Sequence, residues 1–110
     1  MSTESTLITA LAATSVPVQQ DVYTGTATTY ITFNYWTIPI WHRDDAPEYE
    51  QIMIQVHLFA PLATNITTLK KQIKTLLYAG GYAYPETINL TDDVNGRHIV
   101  YDTQTRELIV

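Results

Sequence analysis

The strongest pattern in the chain is a two-residue alternation of apolar side chains, which predicts β-strands. Over residues 28–37 the alternation is set by Ile31, Phe33 and Tyr35 among β-branched and aromatic neighbours. A second alternation covers residues 50–60, where one side of the strand is aliphatic and the other is mixed. A strand with one apolar and one mixed side is typical of a sheet that a helix covers on one face.

A helical spacing of apolar residues predicts two helices, at about residues 3–13 and 63–79. The second helix has Thr64 or Asn65 as its candidate N-cap, and the pair Gly80-Gly81 is its predicted C-terminal stop. All three lysines of the chain fall within this helix, and we expect them on the face opposite its apolar stripe. The two helices are therefore expected to pack on the sheet through their apolar stripes.

Turn-forming residues divide the rest of the chain. Pro85 predicts an edge strand or its end. Asn95-Gly96 suits a tight hairpin that needs positive φ, and it leads to a return strand at 97–103. Pro39 and Pro47 make a regular hairpin doubtful over residues 37–49, so this segment is predicted to be a long loop.

These elements predict a single domain over residues 1–110 with an α+β fold. Its sheet is expected to be largely antiparallel, with four or five strands packed by the two helices.

Composition narrows the chemistry. The chain has no cysteine, which excludes disulfides, a thiolate nucleophile and cysteine-ligated zinc. Its formal net charge of −5 argues against sequence-specific nucleic-acid binding, which needs clustered cations. No run of apolar residues is long enough for a membrane helix, and the first residues lack the positive start of a signal peptide.

Candidate catalytic groups are sparse. An enzyme hypothesis would use His42 with Asp44, or His57 or His98, in a small metal-assisted hydrolase or isomerase. The alternative interpretation is a solvated loop around His42, a hydrogen-bonded partner for His57 and an exposed cross-strand position for His98. No metal-binding spacing, nucleophile elbow or phosphate loop is present in the sequence. We predict no catalytic residue, no metal and no cofactor.

The aromatic and lysine positions instead suggest contact surfaces. The two tryptophans flank the predicted loop, and aromatic residues are enriched in interface cores. The alternative is that the tryptophans pack on the domain's own sheet and that the lysine face is simply solvated. The candidate subunit-contact residues are Trp36, Trp41, His42, Arg43, Asp44, Asp45, Lys70, Lys71 and Lys74.

The chain resembles the tail-completion, or tail-terminator, proteins of long-tailed bacteriophages. The resemblance rests on the strand 51–59, on the helix that ends Ala79-Gly80-Gly81-Tyr82, and on the return strand 96–102 with its sequence Gly-Arg-His-Ile-Val-Tyr-Asp. It implies a small α+β subunit that assembles with copies of itself into a hexameric ring at the head-proximal end of the tail. Members of the family carry an extended loop or hairpin near the position of residues 37–49, which contacts neighbouring subunits.

What the resemblance implies about function is structural. The ring would end the growth of the tail tube and dock on the head connector, so the expected partners are sister copies, the tail tube protein and the connector. The expected location is the virion, assembled in the host cytoplasm. The alternatives are a head-side neck or minor capsid protein of similar fold, and a small ferredoxin-like binding module.

Overall fold

The computed structural model describes residues 3–43, 46–61, 65–93 and 96–108. It contains two α-helices, one 3-10 turn and five strands. The order along the chain is α1 (Thr3–Leu11), the 3-10 turn (Ala12–Thr14), β1 (Val18–Gln20), β2 (Tyr30–Arg43), β3 (Ala46–Ala60), α2 (Thr67–Ala79), β4 (Glu86–Asp93) and β5 (Gly96–Leu108). The predicted α+β fold with two helices and a largely antiparallel sheet is confirmed.

The five strands form one sheet in the order β1-β2-β3-β5-β4. Neighbouring strands are antiparallel except for β1, which pairs with β2 in parallel. Strand β4 is therefore an edge strand, as Pro85 predicts, and it begins at the residue after that proline. The element order of the described chain does not match the β-α-β-β-α-β order of a ferredoxin-like fold.

The core lies between the two helices and one face of the sheet, which we call the covered face. The alternation predicted in β2 and β3 is confirmed, because Ile31, Phe33 and Ile54 are fully buried there. The helices contribute Leu7, Leu11, Ile73 and Leu77, and β3 and β5 contribute Ile52, Val56, Leu58, Ile99 and Tyr101. We call the other side of the sheet the open face.

Helix α2 begins later than predicted among the described residues. Ile66 occupies the N-cap position, and its side chain forms no capping hydrogen bond. The Asn65 side chain nevertheless helps the first turn, because its Oδ1 accepts a hydrogen bond of 3.0 Å from the backbone N–H of Thr67. The other candidate cap, Thr64, lies outside the described residues. No helix in the described part of the chain is long and apolar enough to cross a membrane.

The predicted loop at residues 37–49 is wrong. Strand β2 continues to Arg43, β3 begins at Ala46, and their pairing extends across Pro39↔Glu50 and Pro47↔His42. Pro39 is tolerated because β2 has a paired neighbour on one side only at this position, since the pairing of β1 with β2 reaches no further than Phe33. The described pairing of β5 with β3 ends at Leu108↔Tyr49, before Pro47.

The long hairpin makes the molecule elongated. Strands β2 and β3 have 14 and 15 residues, against about 5–6 for a typical strand. The principal extents are 55 × 24 × 24 Å. The radius of gyration is 15.3 Å, against about 13 Å for a compact chain of this length. We call residues 36–43 and 46–51 the extension, which projects from the helix-covered part of the sheet.

Candidate functional site

A groove lies between helix α2 and the strands β4 and β5. Its volume is about 250 Å³, and the described residues that line it are Thr67, Lys70, Lys71, Lys74, Thr87, Ile99 and Tyr101. All three lysines of the chain therefore stand at a single groove with a partly apolar floor. We call it the lysine groove.

The lysines reach the groove because of their place on α2. The helix turns Ile73 and Leu77 into the core. Lys70 and Lys74 flank this apolar stripe and are half-buried, whereas Lys71 is exposed. The prediction that all three lysines face away from the core is thus wrong for Lys70 and Lys74. Their long aliphatic stems cover apolar surface while the ammonium groups stay at the rim.

The positive charge of the groove is not neutralised within the described part of the chain. No ion pair joins any of the three lysines to a described acidic residue. Lys74 lies over an aromatic ring, because its Nζ is 5.9 Å from the centre of the Tyr101 ring. A cation over a ring face is attracted by the negative face of the π-system. The groove therefore presents three cations to any anionic group that enters it.

Tyr101 forms part of the floor and carries an unusual hydroxyl group. The residue is 1% exposed, and its hydroxyl has no hydrogen-bond partner in the described structure. Burial raises the pKa of Tyr101 to about 12, so the group remains a neutral donor at physiological pH. A buried hydroxyl without a partner costs about 1–3 kcal/mol of folding free energy.

The open face of the same two strands carries the opposite charge. Glu86 of β4 lies directly across from Asp102 of β5, one position along from the Thr87↔Tyr101 pair that faces the lysine groove. Like charges in directly opposed positions destabilise a sheet. Neither carboxylate has an ion pair with a cation among the described residues. Together with Met53 they line a groove of about 270 Å³, which we call the acidic groove.

A second feature of the open face is a chain of hydrogen bonds through two histidines. His57 Nε2 lies 3.1 Å from Asn34 Oδ1, and His57 Nδ1 lies 2.9 Å from His98 Nε2. Because an amide oxygen only accepts, His57 donates from Nε2 to Asn34. A neutral His57 then accepts at Nδ1 from the Nε2–H of His98.

The environment of the pair favours the neutral form. Burial lowers the pKa of His57, and the neighbouring His98 lowers it further. Burial also lowers the pKa of His98. The hydrogen-bonded partner that we expected for His57 is confirmed, whereas His98 is half-buried and not exposed.

A row of stacked rings extends from the histidines across the open face. Tyr23 stacks on Tyr30, Tyr30 on Phe59, and Phe59 on His98, with ring centres 4.3, 4.9 and 4.2 Å apart. The register explains the row, because Tyr30 pairs with Phe59 and Phe59 with His98. Cross-strand aromatic pairs of this kind stabilise a sheet. These rings are therefore partly used inside the subunit.

The other predicted contact residues belong to the extension. Trp36 is 43% exposed and Ile38 is 42% exposed, on successive outward positions of β2. The backbone of Trp41, His42 and Arg43 belongs to β2, but their side chains lie outside the described ones. Their role as subunit contacts stays a prediction. Asp44 and Asp45 lie outside the described residues.

The sequence predicts the lysines and Trp36 as candidate contact residues. It does not predict Tyr101 or the Glu86↔Asp102 pair as parts of the site. The alternation of β5 does separate Tyr101 from Asp102, and Pro85 does predict the edge strand. What the sequence lacks is the register that sets Glu86 opposite Asp102. Within the described residues no group of three His, Asp or Glu side chains could hold a metal ion.

No protein-family model matches the chain, and no curated protein sequence matches it either.

Proposed function

We propose that this protein is a structural subunit of a phage virion, which assembles with copies of itself into a ring that completes the tail and joins it to the head connector. The extension is the observation that carries the proposal. It is the distal part of a long hairpin, and it displays Trp36 and Ile38 as exposed apolar side chains. Contiguous exposed apolar surface is typical of protein contact sites, and Trp36 and Ile38 are neighbours on one face of β2.

In this proposal the extension takes the role of the contact element of the family that the sequence resembles. A subunit that reaches past its own core can lie across a neighbour, and head-to-tail contacts of this type close into rings when the rotation per subunit allows it. This role requires shape and surface chemistry and no catalytic step. A head-side neck protein built on the same contacts is the alternative.

The test is the assembly state of the purified protein, measured by native mass spectrometry over a concentration series and with isolated tail tubes added. We expect closed rings, hexameric as in the family, that bind the ends of the tubes. Binding to isolated head connectors but not to tubes would favour the head-side alternative. A protein that remains monomeric alone, with tubes and with connectors would overturn the proposal.

A substitution at Trp36 links assembly to the extension. We expect Trp36→Ala to weaken self-association by at least about tenfold, because a central interface tryptophan is worth about 2 kcal/mol or more. Its melting temperature should change little, since the side chain is 43% exposed. Val22→Ala is the matched control, because Val22 is 68% exposed but lies in the segment between β1 and β2. Equal losses of association in both variants would mean that Trp36 has no specific part in assembly.

A further inference from the structure

The lysine groove and the acidic groove are complementary surfaces of one subunit. The first holds Lys70, Lys71 and Lys74 without an ion pair among the described residues, and the second holds Glu86 and Asp102 in the same condition. The complementarity lies in the charge, because both grooves are concave, with volumes of about 250 and about 270 Å³.

The two grooves cannot neutralise each other within one subunit. Thr87 and Tyr101 face the lysine groove, whereas their sequence neighbours Glu86 and Asp102 project from the other side of the same two strands. The sheet separates the charges. A second copy that meets the lysine groove with its acidic groove would satisfy both, and it would leave one groove of each kind open at the two ends of the pair.

The charge balance favours a sister copy as the occupant. The lysine groove holds three of the six cationic residues in the chain, which leaves three arginines against eleven acidic residues elsewhere. A second copy therefore presents a predominantly acidic surface to this groove. Opposed potentials of this kind guide encounter and fix the orientation of the partners.

We propose that the lysine groove of one subunit binds the Glu86–Asp102 pair of the next, so that subunits associate head to tail. This inference rests on the ring proposed above and names the charged contact that sets its direction. Contacts between two different patches of a subunit repeat from copy to copy, and they produce a closed ring or a filament according to the rotation at each step. Charges that have no ion pair among the described residues of one subunit are then paired in the assembly.

A charge-swap experiment tests the contact. Self-association is measured by sedimentation velocity at low salt for the unaltered protein, for Lys74→Glu, for Glu86→Lys, and for the double variant Lys74→Glu/Glu86→Lys. We expect each single variant to lose association by at least tenfold, because a repelling pair replaces an attracting one. The double variant should recover association, and an equal mixture of the two single variants should recover it as well.

Glu4→Lys is the matched control, because Glu4 is an exposed acid on α1, away from both grooves. It makes the same change of net charge as Glu86→Lys and should associate normally. Thermal unfolding of every variant checks that the fold is intact.

The outcomes separate this inference from the proposed function. If the unaltered protein assembles and both single variants assemble equally well, the charged contact is wrong while the ring proposal stands. Loss in both single variants without recovery in the double variant or in the mixture would also overturn the pairing of these two grooves. If the unaltered protein does not self-associate at all, this inference is wrong. Without binding to tubes or connectors, the proposed function is wrong with it.

Discussion

The two faces of the sheet carry different kinds of chemistry on the same strands. On the covered face, Ile54, Val56 and Leu58 of β3 are fully buried under the helices. On the open face, the intervening positions of β3 hold Gln55 and His57, which are half-buried. Burial of aliphatic area is the main source of folding free energy, so the covered face supplies most of the stability.

The open face combines satisfied and unsatisfied groups. The histidines are satisfied within the subunit by Asn34 and by each other. Glu86 and Asp102 are not paired with any described cation. The covered face is thus complete within the subunit, whereas the two carboxylates of the open face are the groups that the proposed assembly would use. Substitutions on the covered face should therefore change folding, and substitutions of the unpaired charges should change association.

The largest effect is expected from a charge on the covered face. Ile54 is 0% exposed, and Ile54→Asp would place a lone carboxylate in the core. Burial of a polar group without partners costs several kcal/mol, which is on the order of the total stability of a domain. We expect Ile54→Asp to be unfolded at neutral pH, as measured by circular dichroism.

The matched control places the same residue on the open face. Ile38 of β2 is 42% exposed on the open face, so the same change in Ile38→Asp should lower the free energy of unfolding by about 1 kcal/mol or less. A folded Ile54→Asp protein with native melting behaviour would mean that the assignment of faces in β3 is wrong.

Gly96, the first residue of β5, should be the next most sensitive position. Gly96 has φ of +125°, and a Cβ at this position would lie 2.6 Å from the carbonyl oxygen of Ala60. We expect Gly96→Ala to lower the free energy of unfolding by about 2–3 kcal/mol in urea titrations, because it combines backbone strain with a steric clash.

Gly81→Ala separates the two causes. Gly81 also has a positive φ, of +95°, but a Cβ there would meet no atom within 4 Å. Its cost should be about 1 kcal/mol, from backbone strain alone. Equal costs at both glycines would mean that the steric clash with Ala60 adds nothing to the cost of backbone strain at Gly96.

The sequence predicts the covered face well because local patterns encode it. Alternation predicts that Ile31, Phe33 and Ile54 are buried. The pair Asn95-Gly96 predicts a position of positive φ, which Gly96 adopts. The extension was missed because a proline is unfavourable only where a strand has paired neighbours on both sides. Pro39 has them on one side only, and pairing partners are a property of the sheet as a whole.

The candidate site shows the same limit. The lysines can be read from the sequence, but their groove depends on the distance between α2 and β5, which no local pattern contains. The acidic groove depends on the Glu86↔Asp102 register, and this register includes an irregularity between Thr87 and Asn89. A one-residue slip would move Glu86 to the covered face.

A smaller effect, of opposite sign, is expected at Tyr101 on the covered face. Tyr101→Phe removes a buried hydroxyl that has no hydrogen-bond partner in the described structure, while it keeps the ring beneath Lys74. We expect the free energy of unfolding to rise by about 1 kcal/mol, because the desolvation cost of the hydroxyl disappears. Tyr82→Phe is the comparison. Tyr82 is also a buried residue, but its hydroxyl is not a buried group that lacks a hydrogen-bond partner. A destabilised Tyr101→Phe would show that the hydroxyl has a partner in solution.

The smallest effect is a pH dependence that belongs to the open face. The pKa values of His57 and His98 are lowered in the folded protein, whereas in the unfolded chain they are close to 6.5. As the pH falls below about 6.5, the unfolded chain binds protons that the folded protein does not, so the stability contributed by the neutral pair is lost. Above that pH both states are neutral at these positions, and the contribution is constant.

Protonation also acts on the geometry of the pair. A proton on His57 Nδ1 would oppose the N–H of His98 and break their 2.9 Å hydrogen bond. Urea titrations between pH 7.5 and 5 should therefore show that the free energy of unfolding of the unaltered protein falls as the pH is lowered. In His57→Gln/His98→Gln this decrease should be smaller. His42 is present in both proteins, so the comparison isolates the two substituted histidines. If the two proteins show the same slope, the histidines are not held neutral by the open face, and this face contributes no pH sensitivity to the fold.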